Sequence, residues 1–176
     1  MHDIPRVVVT GSECTGKTTL SQSLSEQLGA LWVPEYARTY AESVARPLTK
    51  DDVAVIARGQ IALEAAGAAT APPIVVQDTD LVSTVVYSRH YYGGCPDWIV
   101  AAARHRLAPL YFLSDIDIPW VHDNVRDRPG ERHLMDALFR GTLAEFGANT
   151  VRLSGLGAHR LHNAMTLIGD WRTRLP

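Results

Sequence analysis

Along the whole chain, short β-branched runs alternate with longer segments that are apolar on one side only. Arg6-Val7-Val8-Val9-Thr10 is apolar without alternation, as in a strand buried on both faces of a parallel sheet. Leu20, Leu24 and Leu28 then recur at every fourth position, which predicts a helix over Thr19–Leu28 that Gly29 stops. Ala30–Val33 predicts a second strand ended by Pro34, and a helix follows from Glu35 to about Ala45. After the break at Arg46-Pro47-Leu48, Thr49 and Asp52 have capping-box spacing, and Val53, Ile56, Ala57 and Ile61 carry a long helix toward Pro72-Pro73. Ile74–Asp78 predicts a third strand and Leu81–Tyr92 a helix broken by Gly93-Gly94. Pro96 opens another helix that ends near Leu107. Pro109–Leu113 predicts the fourth strand, and Ser114 to Pro129 reads as a polar, mobile connection. A helix from about Glu131 to Phe146 is expected to turn Leu134, Leu138 and Leu143 to one side, with Gly147 as its stop. Thr150–Leu153 predicts the fifth strand and Leu156–Trp171 the last helix.

Strands alternating with helices imply an α/β domain: five parallel strands, helices on both faces and right-handed crossovers. A length of 176 residues suits one such domain, so residues 1–176 are expected to form a single unit. The formal net charge of -2 argues against a nucleic-acid or membrane-surface partner, since both favour a basic excess. Cys14 and Cys95 are the only cysteines, and no signal-like or long apolar run is present, so a reduced, cytoplasmic setting is expected.

Chemistry enters between the first strand and the first helix. Gly11-Ser12-Glu13-Cys14-Thr15-Gly16-Lys17-Thr18 satisfies the pattern glycine, four residues, glycine, lysine, then serine or threonine. Glycines let consecutive backbone N–H groups and the positive end of a helix approach anionic oxygens. Lys17 would supply a point charge for β- and γ-phosphates, and the Thr18 hydroxyl would coordinate Mg²⁺. Ser12, Glu13, Thr15 and Thr19 complete the nucleotide-binding stretch. Cys14 reads as a small loop residue.

Ligands of open α/β sheets bind beyond the carboxyl ends of the strands, which turns Glu35, Asp78 and Asp80 into candidates by position. Asp78 ends an apolar strand, as a Mg²⁺-positioning aspartate does. Glu35 is a candidate to orient or deprotonate an accepting hydroxyl, or it is a first-turn glutamate; Tyr36 and Arg38 beside it would supply an acceptor pocket with a flat surface and a cation. Asp80 either binds acceptor hydroxyls or caps the following helix. Arg126, Arg128 and Arg132 lie on or beside the polar connection, where arginines closing over a nucleotide would neutralise transferring charge. His159 and His162 read as surface residues, for lack of further metal ligands.

The phosphate loop, Glu35-Tyr36-Ala37-Arg38, Asp78-Thr79-Asp80 and the run from Trp120 to Arg126 together resemble the ribosylnicotinamide kinase family, the kinase half of NadR-type proteins. The resemblance implies a three-layer P-loop kinase fold that transfers phosphate from Mg²⁺-ATP to the ribose 5′-hydroxyl of nicotinamide riboside. It implies that Gly11, Gly16, Lys17, Thr18 and Thr19 hold ATP and Mg²⁺, with Glu35 and Asp78 at acceptor and metal and Asp80 near the ribose. Arg126 would belong to a lid around residues 120–132, and the loop from Ser154 to Arg160 would pack around adenine. Tyr36, Tyr91, Tyr92 and Trp98 are the aromatics available to the nicotinamide ring. His122 and Asn124 stand where the family usually has Asp and Gly, and Pro34 where an aromatic is common. Because the chain begins almost at the phosphate loop, a stand-alone kinase is expected. The alternatives are a kinase of another nucleoside or of a nucleoside monophosphate, with Arg38 or Arg89 as extra cations, and an ATP-dependent switch without an acceptor.

Overall fold

The computed structural model describes residues 4–118 and 129–173. Five strands, β1 (Arg6–Thr10), β2 (Leu31–Val33), β3 (Val75–Asp78), β4 (Leu110–Ser114) and β5 (Thr150–Leu153), form one sheet in the order β2-β3-β1-β4-β5. All neighbours pair in parallel, with Val8 opposite both Gln77 and Tyr111. Among the described residues six α-helices occupy the connections, α1 (Lys17–Leu28), α2 (Tyr36–Val44), α3 (Asp52–Ala69), α4 (Leu81–Tyr92), α5 (Asp97–His105) and α6 (Arg132–Phe146), and α7 (Gly157–Arg172) follows β5.

Alternation within the buried strands divides the core. Val7, Val9, Val76 and Phe112 face α1 and α7 through Leu20, Leu24, Ala164 and Ile168. Val8, Tyr111 and Leu113 face α4 and α6 through Val82, Val86, Met135, Phe139 and Leu143. A further cluster joins α3, α4 and α5 through Val53, Ala57, Val85, Ile99 and Ala103. Two sequence expectations are corrected here. The inner face of α6 is Met135, Asp136, Phe139, Thr142 and Leu143, and Leu134 points to solvent, because the seven-residue step from 136 to 143 follows the helical period more closely than a frame started at 134. At the start of α3 only half of a capping box forms: Asp52 reaches back to the Thr49 N–H, and the Thr49 hydroxyl donates to Asp52 rather than receiving a backbone N–H.

β1 lies between β3 and β4, and the chain leaves it to one side through β1–α1 and returns on the other through β4. Crevices open at such a reversal, beyond the carboxyl ends of the strands.

Candidate active site

The loop between β1 and α1 owes its shape to its glycines and to buried internal contacts. Gly11 has φ 130°, and a Cβ there would meet the Ser114 carbonyl at 3.1 Å, so the loop presses on the end of β4 where only glycine fits. Gly16, left-handed at φ 72°, turns the chain into α1. The Thr15 hydroxyl and the Lys17 ammonium both donate to the Ser12 carbonyl, at 2.9 and 2.7 Å. Within the loop lies a small pocket of about 160 Å³, lined by Glu13 to Thr19 together with Glu35 and Arg38. Of the residues assigned to nucleotide contact from sequence, Glu13, Thr15, Gly16, Lys17, Thr18 and Thr19 line it. Gly11 and Ser12 shape the loop from behind.

At the foot of the loop the Thr18 hydroxyl donates to Asp78 Oδ2 at 2.5 Å. Asp78 Oδ1 is buried with no hydrogen-bond partner among the described residues. Burial raises the Asp78 carboxyl above its ordinary range, against the lowering effect of the Thr18 hydroxyl. A hydroxyl and an orphaned carboxylate oxygen at the edge of a phosphate-sized pocket fit Mg²⁺, which takes one or two protein oxygens and keeps phosphates and waters for the rest. Among the described residues no group of three or more His, Cys, Asp or Glu forms a metal site, and this arrangement requires none.

Beside the loop opens a much larger cleft of about 880 Å³, walled by α2, α3 and α4. Glu35, at the N-terminus of α2, lines both cavities, and its carboxylate does not cap the helix. The Tyr36 N–H next to it is held by Gln60 Oε1 at 2.9 Å, Gln60 Nε2 donates to Glu64, and Glu64 accepts from Arg106. A buried chain of contacts thus fixes where α2 begins. Thr79, non-glycine yet left-handed at φ 63°, turns the strand end so that Asp78 sits at the loop and Asp80 at the cleft.

Asp80 lies on the cleft wall with both oxygens engaged. Oδ1 accepts the Val82 N–H that opens α4, and Oδ2 accepts the Tyr111 hydroxyl at 2.5 Å. The capping alternative is therefore realised in the fold. Burial pushes its carboxyl up to about 7, the Tyr111 hydroxyl opposes this, and Glu64 adds to it.

The other sequence assignments divide. Tyr91 lines the cleft, stacked on Tyr87 at 6.0 Å. Tyr36 does not: its ring covers Gly59 of α3, leaving no room there for even a Cβ. Arg38 lines the phosphate pocket rather than the acceptor cleft. Arg89 is turned to Glu145 on the surface, and Trp98 lies under Arg58, both away from the cleft lining. Arg160 is buried behind the loop, bonded to the Thr15 carbonyl and Asp117, and lines neither cavity. Arg126 and Arg128 lie outside the described residues, as does most of the expected lid. Sequence reasoning missed Tyr87, Gln60, Glu42, Arg46 and the His90–Glu131 pair (3.0 Å) on the cleft wall. Tyr87 stands one helical turn before Tyr91, a spacing that would have revealed it. Gln60 carried no comparable signal.

A phosphate loop, a carboxylate at the adjacent strand end and a large neighbouring cleft, on a β2-β3-β1-β4-β5 sheet, are the features of a nucleotide-binding P-loop phosphotransferase of the kinase type. Comparison with known proteins agrees. The AAA domain family matches residues 6–160, and the chain belongs to that family. A crystal structure of NadR protein in complex with NR superposes with a TM-score of 0.81 at 27% identity, covering 94% of this chain and 49% of that one. NadR in complex with NAD and AMP-PNP gives 0.80 at 27%, covering 98% and 50%. The chain thus spans about half the length of these NadR chains. Thymidylate kinase from Ehrlichia chaffeensis, at 13% identity and TM-score 0.69 over 93% and 98%, shares the fold. A search of curated proteins finds no match. Among the described residues no helix is long and apolar enough to cross a membrane.

Proposed function

We propose that the chain is a kinase domain that transfers the γ-phosphate of Mg²⁺-ATP to the ribose 5′-hydroxyl of nicotinamide riboside, giving nicotinamide mononucleotide. The observation that carries this reading is Glu35, shared between the phosphate pocket and the cleft, where an acceptor hydroxyl and a γ-phosphate would meet. Lys17 and the loop N–H groups hold the phosphates. Thr18 and Asp78 hold Mg²⁺, which offsets charge on the transferring group. Glu35 orients the hydroxyl and takes its proton, and Arg38 adds positive charge beside the phosphates. Arg126 and Arg128 serve as lid arginines on the segment around residues 120–132, and the whole of 1–176 works as one domain in the cytoplasm.

The cleft's charge supports a cationic acceptor. Glu35, Glu42 and Glu131 line it, and among the described residues its one guanidinium, Arg46, is already bonded at 2.7 and 2.8 Å to Asp52. A nicotinamide ring carries positive charge and stacks on flat aromatics, which Tyr91 and Tyr87 offer. A nucleoside monophosphate would bring a second phosphate into this acidic lining, with Arg89 turned away. The similarity to NadR in complex with NR adds support from a relative.

The test is ADP release from Mg²⁺-ATP with nicotinamide riboside, other nucleosides, nucleoside monophosphates or no acceptor. Strong stimulation by nicotinamide riboside is expected. Stimulation only by another acceptor would move the substrate, and ATP binding without any acceptor-dependent turnover would favour a nucleotide-controlled switch.

A further inference from the structure

Two arginines approach the phosphate loop from the side that faces away from its pocket. Arg132, the first residue of α6, donates through Nη2 to the Cys14 carbonyl at 3.3 Å and to the Ile118 carbonyl at 2.9 Å. Arg160, in the first turn of α7 and only 2% exposed, donates through Nη1 to the Thr15 carbonyl at 2.7 Å. Its Nη2 meets Asp117 and, at 3.5 Å, the Asp115 carbonyl. Neither arginine lines the pocket.

A trans peptide is planar, so the C=O of one residue and the N–H of the next point in opposite directions. Guanidinium groups on the Cys14 and Thr15 carbonyls therefore turn the Thr15 and Gly16 N–H groups the other way, toward the pocket that these residues line. A cation on a carbonyl oxygen also polarises its peptide, which makes the N–H a stronger donor. The Nε–H of each arginine is buried with no partner among the described residues, a desolvation cost retained at both positions. Asp117 secures Arg160, and its Oδ2 also accepts the Gly155 N–H at 2.6 Å, which ties the β5–α7 loop to the same anchor.

We infer that Arg132 and Arg160 are positioning residues for the polyphosphate: from α6 and α7 they clamp two successive loop carbonyls so that the following N–H groups stay aimed at phosphate oxygens. The inference rests on the loop being the nucleotide site, and it gives Arg160 a role other than contact with adenine.

The experiment measures displacement of a fluorescent ATP analogue by tripolyphosphate and, separately, by adenosine. The proteins are the wild-type chain, Arg132→Met, Arg132→Lys, Arg160→Met, Arg160→Lys and Asp117→Asn. Each methionine variant should bind tripolyphosphate about tenfold more weakly, the size of one charge-assisted hydrogen bond, with adenosine affinity unchanged. Lysine, a single point charge, should recover part of that loss, and Asp117→Asn should reproduce part of the Arg160→Met defect. If Arg160→Met fails to fold, the Arg132 variants and Asp117→Asn decide. Tripolyphosphate binding at the wild-type level in the methionine variants would overturn the inference, and so would equal losses for tripolyphosphate and adenosine. Failure of the wild-type chain to bind tripolyphosphate or the ATP analogue would instead refute the nucleotide site itself.

Discussion

Asp80→Asn should change how stability depends on pH more than it changes stability at any one pH. An ordinary aspartate titrates near 3.8, whereas burial pushes Asp80 up to about 7 in the folded chain. Between these values the folded state holds a proton that the unfolded state has released, so stability falls as pH rises through the window. The full gap corresponds to about 4 kcal/mol, or about 1.4 kcal/mol per pH unit between pH 4 and 7. Asp52, Asp115 and Glu145 act with the opposite sign. Arg46, Arg152 and Arg89 respectively hold them below their ordinary values, so their contribution grows as pH rises through the ordinary values of 3.8 and 4.5 and levels off above them. Wild-type stability should therefore peak near pH 4–5 and decline toward neutrality. Asparagine keeps the acceptor for the Val82 N–H and loses that for the Tyr111 hydroxyl, a cost of about 1 kcal/mol that does not vary with pH. Urea unfolding of both proteins at half-unit steps from pH 4.5 to 7.5 reads the difference. The Asp80→Asn curve should be flatter, leaving the smaller decline due to Asp78, whose carboxyl is also raised. Parallel curves would refute the reasoning, because they would mean that Asp80 is ionised throughout.

Three further outcomes follow from the site and its support. Lys17→Ala should lower phosphoryl transfer by about a hundredfold or more with an unchanged far-UV spectrum, because its ammonium serves the pocket and not the core; a variant with most of its turnover would undo the phosphate-loop assignment. Glu35→Gln should reduce kcat far more than it raises the KM for ATP, and equal changes in both would shift the proton-accepting role to Asp78. Gly59→Ala should destabilise the fold by about 1–3 kcal/mol in urea unfolding and loosen α2, since the new Cβ would collide with the Tyr36 ring; wild-type stability would show that the ring moves aside freely.

The elements were legible in the sequence because their signals are local. β-branched runs, leucines at every fourth position and glycine stops are each written within a dozen residues, and so is the phosphate loop. The carboxylates at strand ends followed from the strands themselves. What escaped depends on distant packing. Tyr36 reads as an acceptor-pocket aromatic beside Glu35, yet a glycine 23 positions later on α3 provides the groove that takes its ring. Arg160 reads as a nucleotide ligand, yet its partners lie 43 and 145 residues away in sequence, at Asp117 and Thr15. Leu134 was misplaced for a simpler reason: Met135 and Phe139 carry the apolar face of α6, and a reading confined to leucines follows a row one residue out of phase.

The two cavities draw on largely different parts of the chain: the small one on the β1–α1 loop and Arg38 of α2, the large one on α2, α3 and α4, with Glu35 in common. On the proposed function, acceptor preference is open to redesign by exchanging side chains such as Glu42, Tyr87 or Tyr91 on peripheral helices, while the loop proposed to grip ATP stays as it is. Any transplanted wall would have to preserve the start of α2, which Gln60 fixes, because that is where the two cavities meet at Glu35.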